Sequence, residues 1–159
     1  MPVLRPISDA EYVAWLNETI PAYAKDKVES GAWAAAESLE RSKAELESLL
    51  PSGKDTKDNF LYSVLAEDGE RVGMLWFSVK EQANARIAYV YNIEIDAEHR
   101  RRGHAQRALR ALEGEARRLG FAGIALHVFG HNTTAQALYA KLGYLPTNIN
   151  MYKAVGTGA

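Results

Sequence analysis

The feature that most constrains the fold is a strand-like run that leads through three arginines into a helix and then into a second apolar run. Residues 86 to 95 are rich in tyrosine and β-branched side chains, which suit a strand. Residues 104 to 119 place apolar side chains at helical spacing, and Gly120 is a helix stop signal. Because residues 124 to 129 are again strand-like, the segment predicts a right-handed βαβ unit with parallel strands.

The residues before this unit predict antiparallel strands. Residues 59–66 and 71–79 are strand-like and flank an Asp68-Gly69 turn, as in a hairpin. The fold class is therefore α/β, with a sheet of mixed antiparallel and parallel strands flanked by helices. Simple alternation along 86–95 predicts one face with Tyr89, Tyr91, Ile93 and Ile95, and an opposite face with Val90, Asn92 and Glu94.

Helices are predicted on both sides of this core. Ser8 or Asp9 caps a helix to about Ile20, and Pro21 ends it or restarts it. A second helix runs over 33–50, and residues 51–58 form a loop. Near the C-terminus, Asn132 caps a helix that Gly143 closes, and residues 144–155 supply a last strand.

Length and composition narrow the class of protein. The 159 residues suit a single domain, with residues 1–58 as a helical region and residues 59–155 as the core that contains the sheet. The absence of cysteine excludes a disulfide framework and a cysteine nucleophile. We expect a cytoplasmic protein with no membrane partner, because neither a signal-peptide core nor a long apolar run is present.

Charge is distributed unevenly along the chain. Residues 1–80 hold 9 basic and 14 acidic side chains, whereas residues 81–159 hold 10 and 6. The arginines concentrate between 100 and 118, so this stretch should attract an anion. Nucleic acid is not predicted as a partner, because the net charge is −1 and no aromatic residues are interleaved on the basic surface.

The junction Arg100-Arg101-Arg102-Gly103-His104-Ala105 is the candidate anion site. Free amides and the positive end of the helix dipole converge at a helix N-terminus, which favours phosphate or pyrophosphate. The alternative is an ordinary turn with solvated arginines. A Walker A loop and a dinucleotide fingerprint are both excluded, since the glycine patterns that they require do not occur.

Two strings together resemble the GNAT superfamily of N-acetyltransferases. The first, Arg100-x-x-Gly103-x-Ala105, is similar to the family's acetyl-coenzyme A motif R/Q-x-x-G-x-G/A. The second, residues 132–144, is similar to N-x-x-A-x-x-L-Y-x-K-x-G-F, with Tyr144 in place of the last Phe. The resemblance covers residues 59–153 and implies an acetyl-coenzyme A-dependent N-acetyltransferase.

The resemblance also implies a splayed mixed sheet, as in the GNAT-like acyltransferase fold, and a cofactor site. The pantetheine arm would run between the strands near 86–96 and 123–129, and the pyrophosphate would rest on amides from about Arg101 to Ala105. Asn132 either contacts coenzyme A or is only a helix cap. The expected cofactor-binding residues are Ile95, Arg100, Arg101, Arg102, Gly103, His104, Ala105 and Asn132.

Two side chains are the candidate catalytic residues. Glu94 is proposed as the base that takes the amine proton, through water; the alternative is a carboxylate paired with an arginine or merely solvated. Tyr139 occupies the position of the family's tyrosine that protonates the coenzyme A sulfur; the alternative is a packing role in the core. The oxyanion donor is expected to be a backbone N–H near Ile95 or Glu94.

The amine acceptor is expected to contact the N-terminal helices, with Tyr23, Trp33 and Glu37 as candidates. Direct attack in a ternary complex is predicted because no cysteine is available to carry the acyl group. The alternative function is a module that binds coenzyme A or acyl-coenzyme A with little catalysis. No metal is assigned to His127 and His131, and a homodimer remains one option for the oligomeric state.

Overall fold

The computed structural model describes residues 3 to 156 and contains a five-stranded sheet in the order β1-β2-β3-β4-β5. The strands are β1 (Leu4–Pro6), β2 (Asn59–Leu65), β3 (Arg71–Gln82), β4 (Ala85–Ile95) and β5 (Gly123–Leu126). The first four pair antiparallel, and β4 pairs with β5 in parallel. The predicted mixed sheet and its hairpin are confirmed.

Four α-helices flank the sheet. They are α1 (Asp9–Glu29), α2 (Ser38–Leu49), α3 (His104–Arg118) and α4 (Thr133–Lys141). One apolar cluster lies between α3 and the sheet, and it includes Phe77, Val90 and Leu112. A second cluster lies on the opposite face, where Trp15 of α1 and Leu46 of α2 pack against Trp76. No described helix is both long and apolar enough to cross a membrane.

Helix α1 continues through Pro21, so the prediction that this proline ends or restarts the helix was wrong. Ser8 starts the helix with a capping box, in which its hydroxyl accepts from the Glu11 amide. The hydroxyl of the fully buried Ser42 in α2 donates to the Ile20 carbonyl at 2.7 Å. Packing against α2 therefore holds the helix together where proline removes one internal hydrogen bond.

The face assignment predicted for β4 was wrong because the strand contains a β-bulge. Trp76 pairs with Asn92, but Phe77 pairs with Val90, so Tyr91 is an extra residue. An extra residue reverses the alternation of side chains. Val90 and Ile93 consequently share the face of α3, whereas Tyr91 stacks on Trp76 on the face of α1 and α2.

The C-terminal prediction was also wrong. Residues 144–155 form no strand, and every residue from 145 to 156 is exposed. Strand β5 is shorter than predicted, since it ends at Leu126 rather than near residue 129. Helix α4 begins after Asn132 as expected, and Gly143 follows its end with a left-handed φ of 94°.

Candidate active site

The site is built where β4 loses its partner on one side. Pairing with β5 covers only residues 87–90 of β4, and it ends at Val90 and Leu126. The last five residues of β4 therefore have no neighbouring strand on that side within the described chain. From this end of β4 the chain continues directly into the arginine-rich junction before α3.

The register of β3 and β4 orients the amides along this end of β4. Asp96 donates to the Val72 carbonyl at 2.8 Å, which makes Gly73 and Ile95 a non-hydrogen-bonded pair. In such a pair the N–H and C=O groups point away from the partner strand. The N–H of Ile95 therefore points away from β3, whereas that of Glu94 points toward β3. Of the two expected oxyanion donors, only Ile95 has an amide that points away from β3.

The junction before α3 presents several amides without acceptors. The first amide at this end of the helix with a backbone acceptor belongs to Arg107, which donates to the Gly103 carbonyl at 3.0 Å. Within the part of the chain that the structure describes, the amides of residues 101 to 106 have no such acceptor. The residues present thus offer the donor set that a diphosphate requires.

The backbone conformation of the junction also favours the binding of a diphosphate. Arg101 and Gly103 both adopt left-handed conformations, with φ of 64° and 80°. Such residues turn successive amides toward one side and create an anion-binding concavity. A side chain at Gly103 would meet no atom within 4 Å, so glycine is required by its φ rather than by crowding.

The arginine and histidine side chains at the junction do not all face outward. Nε of Arg100 donates to the Ile95 carbonyl at 2.8 Å, which ties the junction to the end of β4. His104 Nδ1 lies 2.9 Å from Arg107 Nη1, and because arginine can only donate, His104 is the acceptor there. Burial lowers the pKa of His104, which favours the neutral ring. Arg101 and Arg102 are exposed.

Glu94 is half-buried on the face of β4 that meets α1 and α2. Burial raises the pKa of Glu94, and nearby Glu18, Asp96 and Asp26 raise it further, while Arg100 acts in the opposite direction. The neighbouring Arg71 is paired with Glu11 and with Asp96. Glu94 is thus a carboxylate whose raised pKa results mainly from burial.

Tyr139 lies on α4, and its ring is 5.7 Å from that of Tyr144. Burial raises the pKa of Tyr139, and it raises the pKa of Tyr144 to about 12. The Tyr144 hydroxyl is buried without a hydrogen-bond partner among the described residues. Asn132 accepts from the Ala135 amide at 3.2 Å, so the predicted capping role is confirmed.

The acceptor residues expected from the sequence have partners within the chain. Trp33 packs edge-on against Tyr23, and Lys27 lies over both rings at 5.4 and 5.5 Å. Glu37 pairs with Arg41, which also covers Trp33. Two acidic side chains of α1, Glu18 and Asp26, lie near Glu94. They belong to no motif that sequence reasoning could have detected.

One cluster with possible metal ligands lies near the loop before α4. His131 Nε2 is 3.3 Å from an oxygen of Asp26 and 3.2 Å from one of Glu29. Both carboxylates come from α1, about a hundred residues away, so sequence proximity could not reveal them. Exposed groups of this kind commonly form ion pairs, and the absence of a metal stays a prediction.

These features define a class: an α/β protein in which two parallel strands are only partly paired beside a helix N-terminus with free amides. A model of the acetyltransferase (GNAT) family matches residues 14–144, and the chain belongs to this family. The chain is 35% identical to the Bacillus subtilis protein described as the uncharacterized N-acetyltransferase YdgE, over 94% of this chain and 96% of the relative.

Solved structures agree with this assignment. The crystal structure of the Bacillus subtilis protein described as the uncharacterized N-acetyltransferase YycN has a TM-score of 0.90 at 33% identity, and the match covers 96% of this chain and 97% of that one. A GCN5-related N-acetyltransferase from Ralstonia eutropha, at 24% identity and a TM-score of 0.67, shares the fold over 96% of this chain and 97% of that chain. The chain is therefore a GNAT acetyltransferase, as the two sequence motifs predict.

Proposed function

We propose that the chain transfers an acetyl group from acetyl-coenzyme A to a primary amine by direct attack in a ternary complex. The observation that carries the proposal is the run of amides from residue 101 to 106 without acceptors at the start of α3. A helix N-terminus of this kind complements the diphosphate of coenzyme A through its donors and its dipole. Arg101 and Arg102, both exposed, add positive charge beside it.

Acetyl-coenzyme A supplies the thioester carbonyl and the thiolate leaving group. The amine nitrogen forms a bond to the carbonyl carbon, and the carbon–sulfur bond breaks. Negative charge develops on the carbonyl oxygen, and the Ile95 amide, which points away from β3, is the proposed donor to it. Because this amide is held by the sheet, it needs no rearrangement during the reaction.

Glu94 is the proposed base. An alkyl amine has a pKa of about 10 and arrives mostly as ammonium, so a proton must leave before attack. The raised pKa of Glu94 makes this carboxylate a better proton acceptor than an ordinary glutamate, and one water is expected to carry the proton. Arg100 is close enough to lower the pKa of Glu94, but within the described residues Glu94 forms no salt bridge, because Arg100 donates to the Ile95 carbonyl and Arg71 pairs with Glu11 and Asp96. This arrangement favours the role of a base over that of a structural ion pair.

Tyr139 is the proposed donor to the departing sulfur. A thiol has a pKa of about 8.5, and burial raises the pKa of Tyr139 above its usual value of 10.0. Complete proton transfer from phenol to thiolate is therefore unfavourable. Tyr139 would act chiefly through a hydrogen bond that strengthens as charge develops on sulfur. The nitrogen loses a second proton as the amide forms, and the thiolate takes up that proton through water.

The acceptor is proposed to carry positive charge. Glu18, Asp26 and Asp96 surround Glu94 closely enough to raise its pKa, so the same field attracts an ammonium group. Residues 1–58, which include α1 and α2, would thus form the acceptor side, and residues 59–155 the cofactor side. Cytoplasmic location belongs to the same proposal.

The test is release of free thiol from acetyl-coenzyme A in the presence of polyamines, amino acids, aminoglycosides and peptide N-termini. We expect at least one cationic amine to stimulate release and to appear as its N-acetyl product in mass spectrometry. Tight cofactor binding with no turnover on any amine would instead support a binding module. A product formed by an isolated acetylated protein would contradict direct attack.

A further inference from the structure

Asn92 is a polar residue of β4 on the same face of the sheet as Glu94. Trp76 and Met74 of β3 belong to the apolar cluster under α1 and α2, and their cross-strand partners in β4 are Asn92 and Glu94. Directly paired residues of antiparallel strands place their side chains on one face. The side chains of Asn92 and Glu94 therefore both lie on the face of α1 and α2.

The β-bulge at Tyr91 places Asn92 at the start of the part of β4 that β5 does not cover. Pairing with β5 ends at Val90, so Asn92 lies two residues beyond the last paired residue. Bulges occur next to active sites, where they redirect a side chain. Here the bulge brings Asn92 onto the face of Glu94 within the same uncovered stretch.

The side chains of Asn92 and Glu94 both have unused capacity for hydrogen bonds. Both residues are half-buried, and among residues 3 to 156 neither side chain has a hydrogen-bond partner. By contrast, the side chain of Asn59 on β2 accepts from Trp76 at 2.9 Å. Half-buried polar groups without a protein partner are satisfied by water. Water is therefore expected between this amide and this carboxylate.

The spacing of the two residues suits a single bridging water. Residues two apart in a strand are separated by about 6.6 Å along the backbone. Through hydrogen bonds of about 2.8 Å, one water links polar atoms that lie roughly 4.5–5.5 Å apart. One water molecule thus fits between the ends of the Asn92 and Glu94 side chains.

We infer that Asn92 is a positioning residue that holds the water through which Glu94 takes the proton of the amine. The inference rests on the proposed acetyl transfer and adds the residue that its water relay requires. An N–H bond of the ammonium breaks, and its proton binds to the water oxygen. An O–H bond of the water breaks in turn and gives a proton to the carboxylate of Glu94. The electron pair of the broken N–H bond stays on nitrogen, which then attacks the thioester.

Asn92 contributes the third hydrogen bond of this water. The water accepts from the ammonium, donates one hydrogen to Glu94 and donates the other to Oδ1 of Asn92, and three hydrogen bonds are typical of a bound water. The amide oxygen also stabilises the positive charge that the water carries while the proton passes. Because an amide does not titrate, Asn92 performs this role at every pH.

Thiol release by the full chain, with acetyl-coenzyme A and the best amine of the panel, measures the effect. Asn92→Leu preserves the size of the side chain without its amide, and Asn92→Ala removes the amide without adding apolar volume. Both variants should lose about tenfold in kcat, as expected for one hydrogen bond, and keep the KM for acetyl-coenzyme A. Asn92→Ser, whose hydroxyl can accept from the water, should recover part of the loss. The control Gln82→Leu, at an exposed amide on β3, should keep the parent rate.

A double-mutant cycle with Glu94→Gln distinguishes a water relay from packing. Asn92→Leu should cause no further loss in the Glu94→Gln background, because the relay is already absent there. A packing role would give the same loss in both backgrounds. Equal losses in the two backgrounds, or parent-like turnover of Asn92→Leu and Asn92→Ala, overturns the inference and leaves the proposed acetyl transfer intact. A parent chain that releases no thiol with any amine overturns both.

Discussion

Gly73 of β3 lies directly against the backbone of Glu94 in β4. A β-carbon at Gly73 would lie 3.0 Å from Ile95 Cα and closer still to the carbonyl oxygen of Glu94, a position that no real side chain occupies. Both neighbours are backbone, so they cannot rotate away. The absence of a side chain at Gly73 thus sets how close β3 comes to the candidate base.

Gly73→Ala should push β3 and β4 apart at Glu94. We expect a loss of about 1–3 kcal/mol in the free energy of unfolding, because the added methyl group overpacks the sheet. Turnover should fall as well, since Glu94 and the Ile95 amide shift together. The control is Gly123→Ala, whose methyl group meets open space in β5. Equal melting temperatures for the two variants would contradict this role of Gly73.

Glu94→Gln should remove the acidic limb of the pH–rate profile. The parent is active when Glu94 is ionised, so its rate should fall as pH drops through a pKa that is raised above 4.5. The variant should be about 10² to 10⁴ times slower at neutral pH. Glu98→Gln, at an exposed position, serves as the control and should keep the parent profile. An unchanged profile for Glu94→Gln would remove this residue from catalysis.

The same variant should not lose stability. A carboxyl group whose pKa is raised in the folded state binds its proton more tightly there than in the unfolded state. The free energy of unfolding therefore falls as pH rises from 4.5 through the raised pKa. At pH 7 the charged Glu94 therefore opposes folding, and glutamine removes that penalty. Thermal melts at pH 7 and pH 4 should show the variant's advantage at pH 7 only. A less stable variant at pH 7 would indicate a structural partner for Glu94.

Tyr139→Phe and Tyr144→Phe form a matched pair. Loss of the Tyr139 hydroxyl should slow turnover roughly 10-fold or more, as expected for a lost hydrogen bond to developing charge. The Tyr144 hydroxyl is buried and unpaired, so its removal should preserve the rate and stabilise the fold by about 1 kcal/mol. Steady-state kinetics and thermal melts of both variants check this. Full activity of Tyr139→Phe would assign that ring to packing.

Ala83→Gly should stabilise the turn between β3 and β4. Ala83 and Asn84 both have positive φ, at 51° and 63°, as in a two-residue hairpin turn. A left-handed conformation costs a residue with a β-carbon about 1 kcal/mol, and glycine avoids that cost. The melting temperature should rise by about 2–4 °C. Gly69→Ala, at a φ of 88°, should lower it by a similar amount.

The βαβ unit was predictable because its signals are local. The helical spacing after His104, the stop at Gly120 and the strand-like run before Asp96 each follow from neighbours in sequence, and the structure agrees with all three. The family motifs are also local, because each lies within one short stretch of sequence. They predict the junction at residues 100–105 and the helix cap at Asn132. Every one of these features depends on fewer than twenty consecutive residues.

The missed features depend on contacts between distant segments. The bulge at Tyr91 becomes visible only when β3 is placed beside β4, and it moved Tyr91 to the face of Trp76. Helix α1 continues through Pro21 because α2 packs there, which no local pattern shows. Likewise, Glu18 and Asp26 reach Glu94 from another element. The site's electrostatics were therefore beyond what the sequence alone could provide.

Isothermal titration with acetyl-coenzyme A tests the central claim, that the free amides before α3 hold the diphosphate of the cofactor. The account predicts saturable heat with one site per chain, and affinity at least tenfold weaker for acetyl-pantetheine, which lacks the diphosphate. Equal affinity for the two compounds, or no heat with acetyl-coenzyme A, would contradict it.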